Sequence, residues 1–286
     1  MNIGILLNKL FTVNSFNKLV SGESSETYKS IVNELINPPD SITNLQAMNL
    51  IYKYMSKRHR NEYFYKNTLL NKILLGRHSI QTSTALRELP INGNILDFLI
   101  INGIGQVYEI KTELDNLQRL KGQLNAYYHA FSLCNIVTDQ SHLKQIMQSI
   151  DLPQVGIIVL TKRNTLHEER KATKYEKKLD YKSIFKILRK YEFEYILQKN
   201  FGFLPQVNDF QYYDVCFQMF KQLDIKQAQQ EMLYQLKQRE TVDRSNIKEF
   251  NKVPVEIKSL IYFSNYTDNN FKQLNQFLIK KIGDEQ

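Results

Sequence analysis

The stretch NILDFLIINGIGQVYEIKT, residues 94–112, decides how this chain reads. Its first half, Asn94 to Ile101, is apolar except for Asp97. Asn102-Gly103 interrupts it, and Asn-Gly is the strongest short signal for a hairpin. The second half runs into Val107-Tyr108-Glu109-Ile110-Lys111. Side chains alternate along a strand, so Glu109 and Lys111 face the same way, about 7 Å apart. The hairpin brings Asp97 alongside. A lone charge in an apolar strand is costly unless it finds a partner. Two carboxylates and one amine are therefore expected in one small site.

Reading outward, Ser79 to Leu89 forms a further strand, separated from the next by Asn92-Gly93. Before it, Asn61-Glu62-Tyr63 opens an amphipathic helix through Leu69, Leu70, Ile73 and Leu74, stopped at Gly76. After it, Asp115 is the expected cap of a long helix carrying Leu117, Leu120, Leu124, Tyr127 and Phe131. Asn135 to Thr138 reads as a short strand, Ser141 to Ile150 as a helix, and Val155 to Leu160 as a central strand. Strands interleaved with helices predict an α/β fold, a mixed sheet flanked by helices.

Three segments are expected. Residues 1–57 are a helical N-terminal extension. One helix spans Ser25 to Leu35 and is closed by Asn37-Pro38-Pro39; Asp40-Ser41 caps another running towards Tyr54. Residues 58–162 are the sheet-bearing core. Residues 163–286 are a basic helical module, with helices over Phe210 to Phe220, Ile225 to Arg239, Pro254 to Phe263 and Phe271 to Ile282. No internal repeat is visible.

With 38 Lys and Arg against 29 Asp and Glu, the formal charge is +9, a field that favours a polyanionic partner. Residues 162–199 hold 12 basic and 6 acidic residues, so much of the surplus sits there. Tyr175, Tyr181, Tyr191 and Tyr195 lie among them, and such tyrosines either stack on bases or pack half-buried. Two cysteines, Cys134 and Cys216, exclude a disulfide framework and a Cys-rich zinc site. With neither a signal peptide nor an apolar run of about 18 residues, a soluble cytoplasmic protein is expected.

The chemistry follows from the acidic pair. Carboxylates are hard oxygen ligands suited to Mg²⁺ or Mn²⁺, so Asp97 and Glu109 are the expected metal ligands, with the Ile110 backbone carbonyl as a third. Lys111 is the expected electrostatic or proton-handling group. Glu62 is either a carboxylate complementing its helix N-terminus or a further acidic ligand. Glu88 reads as a solvent-facing strand-end residue, and His59 as part of the basic surface run Lys57 to Arg60. Arg119 and Lys121 either solvate a helix face or contact phosphates.

The order Asp97, then Glu109-Ile110-Lys111, then a helix resembles the PD-(D/E)xK nuclease superfamily, although Leu96 stands where that motif has proline. Gln123-Leu-Asn-Ala-Tyr127 is similar to the Gln-x-x-x-Tyr element of RecB-like members; the i, i+4 spacing puts both side chains on one helix face. A narrower resemblance is to the bacterial family called sce7726. It is carried by Asn61-Glu62, Lys66-Asn67, Tyr108-Glu109-Ile-Lys111-Thr-Glu113-Leu-Asp115 and Arg119-Leu, and runs from about Arg58 to Leu160. These resemblances imply a restriction-endonuclease-like core that hydrolyses phosphodiester bonds of DNA with Mg²⁺ or Mn²⁺, in repair, recombination or defence against mobile DNA. They imply Asp97, Glu109, Lys111, Gln123 and Tyr127 as catalytic residues and Arg119, Lys121, Gln123 and Tyr127 as nucleic-acid contacts. Relatives with an iron–sulfur cluster use four cysteines, so none is implied. The oligomeric state stays open, a homodimer among the options. The competing reading is a non-catalytic nucleic-acid-binding or protein-interaction module that kept the fold.

Overall fold

Alternating and continuous apolar runs between Thr84 and Leu160 fix where the sheet forms, because each strand must bury at least one face. The computed structural model describes residues 2–36, 42–239 and 242–282. Its six strands are β1 (Thr84–Ile91), β2 (Asn94–Asn102), β3 (Ile104–Lys111), β4 (Leu133–Thr138), β5 (Gly156–Leu160) and β6 (Leu166–Arg170). They lie side by side in chain order. β1, β2 and β3 form an antiparallel meander, β3–β4 and β4–β5 are parallel, and β6 returns antiparallel to β5. The fold is thus α/β, with a mixed sheet flanked by helices. At the first turn Ile91 faces Asn94, and Asn92 and Gly93 both have positive φ, the two-residue geometry that matches strand twist. Gly103, at φ 71°, makes the second turn.

β6 was not expected as a strand. Leu166-His167-Glu168-Glu169-Arg170 is charged and largely solvent-exposed, so it carries no burial pattern; its charges suit a sheet edge. The helix expected from Asp115 is shorter and later. Asp115 does not cap it: its Oδ2 accepts from the Thr112 amide (2.7 Å) and the Thr112 hydroxyl (2.8 Å), closing a turn just after β3. An Asp side chain that bonds nearby backbone competes with helix formation, and the helix spans Leu120–Tyr127.

Leu120, Leu124, Tyr127, Tyr128 and Phe131 pack on one sheet face with Leu99, Val107, Cys134 and Ile136. Helices Tyr181–Ile187, Lys190–Phe201, Asp209–Phe220 and Ile225–Lys237 join the same core through Ile184, Phe185, Phe193, Phe220, Met232 and Leu236. At Gly105 a Cβ would lie 2.6 Å from Leu233 Cδ2, so glycine lets β3 and the Ile225–Lys237 helix approach closely.

The chain divides into two compact units, Thr82–Arg239 and a second made of Met1–Gln81 with Glu240–Gln286. This differs from the three expected segments. The basic helices up to Arg239 belong with the sheet because their apolar faces complete its core. In the second unit the two chain ends fold together. Asn44 Nδ2 donates to the Phe277 carbonyl (3.0 Å), Tyr63 Oη to the Glu256 carbonyl (2.6 Å), and the Ser259 amide to Asn67 Oδ1 (2.9 Å). The Asn37-Pro38-Pro39 stop and the Asp40-Ser41 cap lie outside the described residues. The Asn44–Arg58 helix is capped by Thr43 in a reciprocal box with Gln46. The helix from Glu62 runs past Gly76 to Arg77, through a π-helical turn at Leu70–Leu74. Cys134 and Cys216 are free and buried. No helix among the described residues is long and apolar enough to cross a membrane.

Candidate active site

The β2–β3 ladder pairs Leu99 with Val107 and Phe98 with Tyr108, so the next residues in register are Asp97 and Glu109. Residues opposite one another in an antiparallel pair share a face. There the ladder gives way to side chains: the Ile110 amide donates to Asp97 Oδ2 at 2.7 Å. Glu109 is completely buried. Its Oε1 accepts from Lys111 Nζ at 2.7 Å, and its Oε2 from Tyr127 Oη at 2.7 Å. The Tyr127 oxygen also lies 3.0 Å from the Ile95 carbonyl. A buried carboxylate is tolerable in an apolar core only when paired and hydrogen-bonded, and both oxygens of Glu109 are.

The Leu120–Tyr127 helix supplies the roof. Tyr127 faces the sheet, and Gln123 sits one turn earlier on the same side, half-buried. Burial drives the Tyr127 phenol far above its ordinary range; the Glu109 and Asp97 carboxylates push it the same way, and only Gln123 opposes them. The phenol is therefore a permanent donor to Glu109. The structure thus gathers Asp97, Glu109, Lys111, Gln123 and Tyr127, which lie up to 30 positions apart in sequence, into one site. Ile110 lies between Glu109 and Lys111 on β3, with its side chain buried on the opposite sheet face.

Arg119 and Lys121 are exposed at the start of the helix that carries Gln123. Glu62 belongs to the other compact unit, in the first turn of its own helix, and pairs with Lys66 at 2.6 Å. His59 caps the Asn44–Arg58 helix, its Nε2 3.1 Å from Asn8 Oδ1. Glu88 is exposed and adopts φ 54°, within 3.8 Å of the Arg87 guanidinium. Of the tyrosines in the basic stretch, two pack: Tyr175 lies edge-on to Tyr128 at 5.2 Å, and Tyr181 Oη donates to the Leu223 carbonyl at 2.7 Å. Tyr191 and Tyr195 stay exposed. Sequence reading passed over Thr138. It is the β4 residue in register with Lys111 and is fully buried, and its hydroxyl has no hydrogen-bond partner among the described residues.

Among the described residues no three His, Cys, Asp or Glu side chains gather into a metal cage. Asp97 and Glu109, on neighbouring strands β2 and β3, would meet a smaller demand. Mg²⁺ commonly takes one or two carboxylates, keeps several waters and draws the rest of its shell from substrate phosphates. The Lys111 ammonium already occupies Oε1 of Glu109.

A family model described as bacteriophage P4 protein cII matches residues 55–264. No curated protein matches the chain. A solved structure, the SPO1766 protein of unknown function from Silicibacter pomeroyi, is similar at 14% identity with a TM-score of 0.27. The alignment covers 35% of this chain, and the chain spans 65% of that protein's length.

Proposed function

The chain belongs to the bacteriophage P4 protein cII family, and from the arrangement of its candidate site we propose that it is a metal-dependent nuclease hydrolysing phosphodiester bonds of DNA. One observation carries the reading. Glu109 is buried between Lys111 and Tyr127, and Asp97 on the neighbouring strand accepts from the adjacent Ile110 amide. The likeness of these residues to the PD-(D/E)xK pattern, of Gln123 and Tyr127 to the RecB-like Gln-x-x-x-Tyr element, and of the wider segment to sce7726 proteins supports it. The surplus of positive charge suits a polyanionic substrate.

In this reading Asp97 and Glu109, with the Ile110 carbonyl, hold Mg²⁺ or Mn²⁺. The bound ion supplies Lewis-acid polarisation of the phosphoryl oxygen and a water of lowered pKa. Lys111 balances charge as it develops on the phosphoryl group. Tyr127 orients Glu109, Gln123 shares its helix face, and Arg119 and Lys121 meet the phosphate backbone. A second reading rests on the same contacts. Both Glu109 oxygens are already taken by internal donors, as in a closed structural network, which would suit a module that binds nucleic acid or protein without cutting.

The test is cleavage of linear, nicked, branched and single-stranded DNA with Mg²⁺, alongside calorimetric Mn²⁺ binding, for the wild type and Asp97→Ala. Wild-type cleavage and metal binding, both lost in Asp97→Ala, are expected. Binding that survives the substitution, or no cleavage of any substrate, would overturn the nuclease reading in favour of the second.

A further inference from the structure

Thr138 is hard to explain as packing. It closes β4 after Ile136 and Val137, beside Val159 of β5 in register, and its side chain is completely buried. Valine has the same branched shape, and threonine differs from it by a hydroxyl that is costly to bury unpaired. That hydroxyl has no hydrogen-bond partner among the described residues. A group of this kind calls for a specific explanation.

Its position supplies one. β3 and β4 run parallel and both end here, Lys111 opposite Thr138. Sites in α/β sheets lie at the carboxyl ends of parallel strands. Residues in register on neighbouring strands share a face, so Thr138 stands on the Lys111 and Glu109 side of the sheet. The Lys111 ammonium has three N–H donors, is itself buried, and is bonded to Glu109 Oε1. A divalent cation that uses Glu109 competes with that ammonium for the same oxygen.

Resting on the nuclease reading, we propose that Thr138 is a positioning residue of the site: its hydroxyl accepts the Lys111 ammonium when a divalent cation claims Glu109. Without this acceptor, opening the Lys111–Glu109 pair would strand a buried ammonium. With it, the lysine keeps a fixed place beside the acidic pair.

The test measures Mn²⁺ affinity calorimetrically on the full chain for wild type, Thr138→Val and Thr138→Ser, with Mg²⁺-dependent DNA cleavage as a second readout. A hydrogen bond to a charged group corresponds to about tenfold or more in an equilibrium, so Thr138→Val should weaken Mn²⁺ binding about tenfold while melting no lower than wild type. Thr138→Ser keeps the hydroxyl but loses the methyl, so it should bind Mn²⁺ within about threefold of wild type. A packing role predicts the reverse order, because serine leaves a cavity and valine does not. Unchanged affinity in Thr138→Val, or a Thr138→Ser as weak as Thr138→Val, would overturn the assignment and leave the nuclease reading intact. A wild-type chain that neither binds Mn²⁺ nor cuts DNA would remove both.

Discussion

Glu109 and Tyr127 form a buried hydrogen-bonded pair at the centre of the candidate site. Tyr127→Phe removes one donor from Glu109 Oε2 and from the Ile95 carbonyl while keeping the ring in its pocket. Leaving buried acceptors short costs about 1–3 kcal/mol, to be read from urea unfolding, with slower cleavage as the second readout. Asp97→Asn keeps an acceptor for the Ile110 amide but loses the charge. On the proposed nuclease reading, cleavage should fall on the order of 10²- to 10³-fold, since a metal site would supply several kcal/mol to the transition state, while the melting temperature holds. Lys111→Met should both stop cleavage and destabilise the chain by about 3–5 kcal/mol, because it leaves Glu109 buried without its cation. A fully stable Lys111→Met would show that Glu109 is not relying on that partner.

At the scale of elements, the helices that follow β6 complete the core of the sheet that carries the site. The Lys190–Phe201 helix is held to the end of the Ile225–Lys237 helix by Arg239, whose guanidinium meets both oxygens of the buried Glu192 at 2.6 Å. Burial alone would raise the Glu192 carboxyl; Arg239 and the Arg189 amide outweigh it and hold the carboxyl below its ordinary range. A depressed carboxyl stabilises the fold above the unfolded-state pKa and loses that contribution as the pH falls through the folded value. Wild-type stability should therefore drop in acid below the ordinary carboxylate range. Arg239→Met should cost about 3–5 kcal/mol at pH 7 and show a flatter acid limb, as urea unfolding across pH would record. Gly105→Ala tests the β3 contact: its Cβ would meet Leu233 at 2.6 Å and Phe131 at 3.0 Å, and overpacking of this kind costs about 1–3 kcal/mol.

For the molecule as a whole, the +9 charge should be visible in binding. The logarithm of DNA affinity should fall linearly with the logarithm of salt, by about 0.9 for each phosphate neutralised. Asp97→Asn should keep that slope while losing cleavage, since it spares every Lys and Arg. Binding that ignores salt would leave the charge surplus without a role in DNA contact. Several cations in the basic stretch already have structural partners. Lys174 pairs with Glu176, Lys199 pairs with Glu231, and Lys178 donates to Asn125. Net charge along a stretch therefore overstates the charge it offers a ligand.

Local physics made much of this protein legible in advance. Asn92-Gly93 and Asn102-Gly103 prescribe tight turns, and period-two alternation puts Glu109 and Lys111 on one face, so the meander and its acid–amine cluster follow from residues 84–112 alone. The spacing of Gln123 and Tyr127 likewise dictates a shared helix face. What sequence could not decide depends on contacts between distant segments. Asp115 had the composition of a helix cap, but a threonine three residues earlier captured it. β6 is a strand because β5 offers it an edge, and its charged residues carry no pattern that says so. Thr138 joins Lys111 only through parallel register across an intervening helix. The two chain ends form one compact unit through bonds such as Asn44 to Phe277, about 230 residues apart, for which no local preference exists. Period and turn chemistry act over a few residues and are written in the chain; register, pairing of remote segments and the fate of each buried polar group are settled only when the whole core closes.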